Sequence, residues 1–303
     1  MHKSYIGIDI GTRQVKMVQC QGHVLCREET EPLPEYFMKD GKMISMEAMA
    51  DFLKNMAKNR GIKCRSCCLV LPDNLTLTRR VHMPAMTVNQ LNINLPYEFH
   101  DFIQDKRETY IFDYAVMETV RDQNKKPVSM DLMAAAVSKR VMEEYRQMLR
   151  LAGWKLKSAA PAAFAYSNLI RDYEKREDIK EPKDYCLVDL GYLAARVFFF
   201  HGKGLKASRR IDISPLAEDE PEMYESIGTE LRRTVDYYRF RNPKNRITEV
   251  YFCGGRALNE AVCGLVAEYA SLKPRYAKEL ISVSEGMNKT VISPAAAGST
   301  FWL

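Results

Sequence analysis

Asp9, Gly11, Thr12 and Lys16 lie within Tyr5-Ile6-Gly7-Ile8-Asp9-Ile10-Gly11-Thr12-Arg13-Gln14-Val15-Lys16-Met17-Val18, and together they are residue types that can clamp an anion. The backbone amides of a tight Asp-x-Gly-Thr turn converge on one point. Gly11 permits close approach and a positive φ, Thr12 adds a hydroxyl donor, Asp9 can hold a hydrated cation, and Lys16 can reach back to a phosphate. The turn is flanked by apolar runs that read as one strand and a second beginning at Val15, so the clamp would sit at the end of a sheet without a helix N-terminus. Ordinary hairpin turns also yield Asp-x-Gly-Thr. The weight therefore comes from two further stretches. Residues 186–200 repeat the strand, Asp-x-Gly turn, strand pattern with Asp189 and Gly191, and residues 250–259 run an apolar strand into Gly254-Gly255 ahead of a helix. The candidate ligand contacts are these eight residues, with Asp9 and Asp189 as the candidate metal contacts.

Two such hairpins 180 positions apart, followed by strand, Gly-Gly and helix, resemble the phosphate 1, phosphate 2 and adenosine motifs of the superfamily of actin, sugar kinases and heat-shock chaperone ATPases. A repeated half is what two similar α/β lobes closing over one nucleotide would produce. Within that superfamily, Leu69-Val70-Leu71-Pro72, then Arg79-Arg80-Val81-His82-Met83-Pro84, then Pro96-Tyr97-Glu98-Phe99 resemble the PilM family of cytoplasmic, actin-like type IV pilus assembly proteins. The resemblance covers nearly the whole chain and rests on the joint order of the pieces. It implies an α/β, actin-like ATPase (ribonuclease H-like) fold of two lobes with an inserted 1C subdomain of the kind shared with FtsA. The expected limits are 1–72 and 151–183 for lobe one, 73–150 for the insert, 184–213 and 248–303 for lobe two, and 214–247 for a reduced subdomain 2B.

The elements that would position these residues are legible from spacing. Val24 to Glu29 completes a meander, and Pro32 to Gly41 reads as a polar loop. From Ser45 the residues Met46, Met49, Phe52, Leu53 and Met56 recur at helical spacing, with Ser45 as N-cap and Gly61 as stop. Leu75 to Met83 and Tyr110 to Glu118 alternate as strands, Thr87 can cap a helix that Pro96 ends or kinks, and Ser138 can cap a helix running to Arg150. Ala159 to Ile170 reads as a helix. Ile227, Leu231, Val235 and Tyr238 give a helix from about Met223 to Arg241 its apolar face.

At 303 residues, with 46% hydrophobic and 28% charged residues, the chain has the composition of a soluble protein with a sizeable core. The net charge of +6 is mild, and no basic stripe interleaved with aromatics argues for nucleic acid. The start enters a strand directly, with no signal peptide, and the apolar runs are too short to span a bilayer. A cytoplasmic location and no direct membrane insertion are expected. The eight cysteines lie mostly in apolar strand contexts, as reduced core residues do. Cys64-x-x-Cys67 lacks a second ligand pair at zinc spacing.

The resemblance also implies ATP with magnesium as the cofactor and, as partner, the short cytoplasmic tail of the inner-membrane protein PilN, seated between insert and first lobe, with pilus motor components beyond it. Leu69, Leu71, Val81 and Phe99 are the candidate groove residues. Asn92-Ile93-Asn94-Leu95-Pro96 looks like the tail motif of such partners, but it falls within the helical insert and is read as part of it. Three departures from the superfamily pattern matter. Ala160-Pro161-Ala162-Ala163 stands where relatives carry Glu-Pro-x-Ala-Ala, so the water-orienting carboxylate is missing. Ala195 stands where actin-type phosphate 2 motifs place Ser or Thr, Ala194 also lacks a hydroxyl, and bulky Tyr192 follows Gly191. The helical element that carries Glu and Lys toward the ribose is absent from the region around residues 215–221. Hydrolysis needs positioned donors, a metal and an oriented water, so the sequence points to a scaffold with a degenerate nucleotide site. The alternative is an ATP-binding and hydrolysing switch in pilus or type II secretion assembly. A small-molecule kinase lacks a candidate Asp base.

Overall fold

The first hairpin forms because two apolar runs flank a turn that neither can continue through. In the computed structural model, which describes residues 3–213, 221–244, 247–287 and 293–302, β1 (Ser4–Ile10), β2 (Gln14–Gln21) and β3 (Val24–Pro32) form an antiparallel meander. The expected polar loop then carries two short strands, β4 (Met38–Lys39) and β5 (Lys42–Met43). Helix α1 (Met46–Asn59) starts where the Ser45 hydroxyl accepts from the Ala48 amide at 3.1 Å. Its Met49, Leu53 and Met56 are buried beneath the sheet, as the methionine spacing predicts. Strand β6 (Ser66–Leu71) then pairs parallel with β1.

The insert leaves the sheet after β6 and builds its own, from β7 (Thr76–Pro84), β8 (Tyr110–Arg121) and β9 (Pro127–Ser138) in the order β7-β9-β8. Helix α2 (Val88–Asn94) begins with a reciprocal cap between Thr87 and Gln90 and gives way at Pro96 to a 3-10 turn, Leu95–Phe99. Residues 92–96 therefore span a helix end. The helix α3 (Lys139–Leu151), expected within the insert, sends Tyr145, Met148 and Leu149 into the first lobe's core beside Met49, Leu53 and Leu69. The insert's sheet ends at Ser138, and the limit at 150 moves accordingly.

Strand β10 (Lys155–Pro161) pairs parallel with β6. Residues 159–161, expected as helix, are extended instead. Pro161 disfavours helical backbone at Ala160, so α4 (Ala162–Arg176) begins one residue past the proline. The second lobe repeats the plan. Strands β11 (Asp184–Leu190), β12 (Ala194–His201) and β13 (Gly204–Asp212) form a meander. Helix α5 (Pro221–Arg241), strand β14 (Glu249–Cys253), helix α6 (Glu260–Tyr269) and strand β15 (Lys273–Tyr276) follow. The order β13-β12-β11-β14-β15 matches β3-β2-β1-β6-β10. In this repeat α5 occupies the place of α1, and its Ile227, Leu231, Val235 and Tyr238 pack into the second lobe's core. Of the 214–247 region expected as a reduced subdomain, residues 214–220 and 245–246 lie outside the described residues.

The chain then returns to the first lobe, where 248–303 was expected to stay with the second. Strand β16 (Ser282–Val283) pairs parallel with β3, and α7 (Pro294–Gly298) packs against β1, β2 and α4. The approach is close: a Cβ at Gly7 would lie 1.9 Å from the Ala296 carbonyl oxygen, so α7 seats on β1 only because residue 7 has no side chain. Phe301 stacks on His23 at 4.7 Å, and α4, α7 and the facing strands join the lobes through one apolar cluster. Cys20, Cys67, Cys68, Cys186, Cys253 and Cys263 are buried in these cores, with Cys26 and Cys64 partly so.

A cleft between two matching hairpins

Because the two lobes repeat, each presents an Asp-x-Gly turn at the same end of its sheet, and the two turns face one cleft of about 420 Å³. Asp9, Gly11, Thr12, Lys16, Asp189, Gly191 and Gly255 all line it. Gly254 stands directly behind, with φ of +94°, where a Cβ would lie 2.4 Å from Asp189 Oδ1. The structure thus brings the eight predicted residues together. Gly11 differs in detail, being absent from the positive-φ residues. A Cβ there would meet the Gln14 carbonyl oxygen at 3.0 Å.

The repeat extends to charge. Asp9 and Lys16 sit opposite each other across β1 and β2, as do Asp189 and Arg196 across β11 and β12. Lys16 Nζ lies 3.0 Å from Asp9 Oδ2, and Arg196 Nη1 lies 3.6 Å from Asp189 Oδ2. Lys16 therefore turns to its cross-strand carboxylate, and Ser293, from the returning tail, donates its hydroxyl to the same Asp9 oxygen at 2.8 Å. Burial opposes the charge on Asp9, but Lys16 and the Ser293 hydroxyl outweigh it and hold the carboxyl below its ordinary range. Burial likewise opposes the Lys16 ammonium, and Asp9 with Asp189 raises its pKa in spite of it.

On the second hairpin, Tyr166 of α4 donates to Asp189 Oδ2 at 3.3 Å. Burial, reinforced by Asp189, pushes its phenol well above the ordinary value, so it remains a donor. Arg196 also crosses to the first lobe's edge, with Nε 2.5 Å from Asp73 Oδ2. Asp73 is itself raised by burial, which Arg196 offsets only in part.

Tyr192 lines the cleft beside the second turn. Its hydroxyl accepts from Arg13 of the first hairpin. The Arg13 guanidinium lies 4.1 Å from its ring centroid and that of Arg256 lies 5.3 Å away. The ring thus meets one cation from each lobe. Ala195, where a Ser or Thr hydroxyl was sought, is sealed in the second lobe's core because alternation along β12 turns it away from the cleft, while Ala194 and, at the start of α4, Ala162 line the cleft. The cleft gathers five cations, Arg13, Lys16, Arg196, Arg210 and Arg256, against the carboxylates of Asp9, Asp40, Asp73 and Asp189. That balance suits an anion. Both candidate metal carboxylates already face a cation, Asp9 facing Lys16 and Asp189 facing Arg196.

The predicted partner groove is only partly as expected. A cavity of about 240 Å³ does open between the insert and the first lobe, walled by β8, β9, β10 and α4, with Leu71, Ile111, Val137, Met142, Phe164 and Trp302 on its lining. Of the four candidates only Leu71 reaches it. Leu69 is sealed in the first lobe's core, and Val81 and Phe99 in the insert's own core, Val81 on the inner face of its sheet and Phe99 packing there from the 3-10 turn. Arg196, Asp73, Ser293 and Trp302 were missed. Arg196 had a signal, since it follows Asp189 by seven positions as Lys16 follows Asp9.

A family model described as "Type IV pilus assembly protein PilM" matches residues 7–204. Among solved structures, a "PilM-PilN type IV pilus biogenesis complex" is 18% identical with a TM-score of 0.78, covering 99% of this chain and 97% of that one. The ethanolamine utilization protein EutJ from Carboxydothermus hydrogenoformans is 10% identical with a TM-score of 0.51, covering 98% of this chain and 89% of that one. No curated protein matches the sequence. These likenesses agree with the two-lobed, actin-like fold read from the repeat. No helix among the described residues is long and apolar enough to cross a membrane.

Proposed function

Since the chain belongs to the type IV pilus assembly protein PilM family, we propose that it is an actin-like scaffold of pilus assembly with a degenerate nucleotide cleft. It docks the cytoplasmic tail of a PilN-like inner-membrane protein, and through that tail it lies at the cytoplasmic face of the membrane and meets components of the pilus motor. The solved PilM-PilN complex that shares its fold supports the partner. The cavity between insert and first lobe supports the place, being mainly apolar and lined by an extended strand on each side, Ile111 on β8 and residues 158–161 on β10. An extended peptide carrying apolar side chains would fit it.

The observation that supports the degenerate reading is Tyr192, a bulky ring engaged by Arg13 and Arg256 on the wall of the cleft that the two Asp-x-Gly turns face. Phosphoryl transfer depends on donors and metal aimed at the transferring group and on an oriented water. Here Lys16 is committed to Asp9, Ala194 and Ala195 offer no hydroxyl, and Ala162 and Ala163 open α4 where an orienting carboxylate would be needed. A second reading, an ATP-driven switch between open and closed lobes, is favoured by the five cations lining the cleft.

Calorimetric titration of the purified chain with magnesium ATP, and separately with a synthetic N-terminal tail of the PilN-like partner, tests both. Tail binding with no ATP heat supports the scaffold. Tight ATP binding abolished by Asp9→Ala would replace it with the switch, and absence of tail binding in either nucleotide condition would sink the docking assignment.

A further inference from the structure

The last three turns of α5 carry a feature that neither cleft nor groove uses, a basic stretch interleaved with exposed aromatics that corrects the expectation of none. On its inner face the ring of Tyr238 stacks on Phe199 at 4.4 Å, nearly parallel, and Leu231 and Val235 are buried beside it. That packing sets the roll of the helix and drives Arg233, Tyr237 and Phe240, spaced four and three, to the outside, with exposed Lys244 three residues past the helix end. Phe240 is 81% exposed and Tyr237 63% exposed. The same stretch carries Arg232, Arg233, Arg239, Arg241 and Lys244, and Arg209 of β13 reaches it at Glu230. Two carboxylates answer them: Glu230 takes Arg233 at 2.5 Å and Arg209 at 3.4 Å, and Asp236 takes Arg239 at 3.3 Å and Arg232 at 3.9 Å. Arg241 lies against Tyr237, donating to its hydroxyl at 3.3 Å. Cations near a helix C-terminus are favourable on their own account. A phenylalanine left almost wholly in water among them is not explained that way.

From this arrangement we infer that the C-terminal half of α5 is a docking surface for an anionic lipid bilayer. Charge complementarity selects the occupant: excess guanidinium and ammonium groups attract acidic headgroups, while a phenylalanine and a tyrosine standing clear of the surface enter the headgroup layer. A folded protein partner fits less well. The stripe is convex and offers two rings, far less apolar area than a specific protein interface buries. The surface lies on the second lobe and shares no residue with the tail groove, so the inference does not depend on tail docking. It would add a direct electrostatic contact to a protein with no membrane-spanning helix among its described residues.

The test is co-sedimentation of the full chain, without partner tail, with vesicles of equal parts phosphatidylglycerol and phosphatidylcholine, and with phosphatidylcholine alone. Binding is expected to the acidic vesicles only and to weaken with added salt. Each cation near a bilayer contributes about fivefold in affinity, so Arg233→Ser, Arg241→Ser and Lys244→Ser together should lower it roughly a hundredfold. Phe240→Ser should lower it about tenfold, with far-UV dichroism and thermal unfolding unchanged because the ring packs on nothing. Arg121→Ser with Lys125→Ser, exposed cations on the insert, should leave binding intact. Equal binding to both vesicle types, or insensitivity to Phe240→Ser, would overturn the inference. Polyglutamate binding to the stripe while vesicles do not would overturn it in favour of an acidic protein.

Discussion

Replacing Tyr192 by glycine should make the cleft a better nucleotide site. In the structure this ring is held by Arg13 at 4.1 Å and Arg256 at 5.3 Å and accepts a hydrogen bond from Arg13. Each cation over an aromatic face contributes about 0.5 to 1 kcal/mol at a part-exposed site, and the hydrogen bond about 1 kcal/mol. Together these contacts hold the ring in its place on the cleft wall by about 2 kcal/mol, which leaves roughly 3% of molecules with the ring swung clear and the cleft fully open. Apparent affinity scales with that open fraction, so Tyr192→Gly should strengthen magnesium ATP binding by up to about 30-fold. Tyr192→Phe, which keeps the ring and loses the hydroxyl, should gain about fivefold. Titration calorimetry on both variants and the parent reads this directly. An affinity for Tyr192→Gly equal to or weaker than the parent's would show that the tyrosine does not compete with nucleotide, and the latch argument would fail.

Three further outcomes are expected. Lys16→Met leaves Asp9 enclosed without its cation and should cost about 3 kcal/mol at neutral pH. An acid with a lowered folded pKa contributes stability above its unfolded value and loses it as pH falls through the folded one. The gap between variant and parent in urea unfolding should therefore start to narrow as pH falls below about 4 and close only below Asp9's lowered folded value, and a gap that does not narrow with falling pH would refute the ion pair as its source. Gly254→Ala forces a Cβ to 2.4 Å from Asp189 Oδ1 at a φ of +94° and should destabilise by about 2 to 4 kcal/mol. A melting temperature unchanged by scanning calorimetry would contradict that geometry. Ile111→Asp, on the part-exposed wall of the groove, should weaken partner-tail binding more than tenfold by fluorescence anisotropy. The same substitution should leave nucleotide binding and melting temperature nearly as they were.

Much of the fold was legible because its signals are local. The paired Asp-x-Gly turns, the apolar runs around them and the methionine spacing of α1 each follow from a period or a turn preference that a short window contains. Segment limits were less legible. Helix α3 reads as the end of the insert by adjacency, yet Tyr145, Met148 and Leu149 pack into the first lobe. Ala159 to Pro161 look helical by composition, but β6 was available to pair with them and the proline excluded a helix. Val81 and Phe99 were sought in a groove from the insert's position alone, although both are large and apolar. Those same properties put them in the insert's core.

The sequence by itself determined that two matching hairpins would exist, that each would carry an Asp seven positions ahead of a base, and that the second would lack a hydroxyl. Alternation and turn chemistry set the first, antiparallel register carried the second, and composition alone stated the third. Only the tertiary structure decided what the clamp residues do. Ser293 reaches Asp9 from 284 positions away, Tyr192 meets Arg13 across 179, and Arg196 spans to Asp73. No local window contains such pairs. They arise because the chain's last helix returns to β1 over Gly7 and because the two lobes face each other, and a side chain takes its partner from what folding brings within reach.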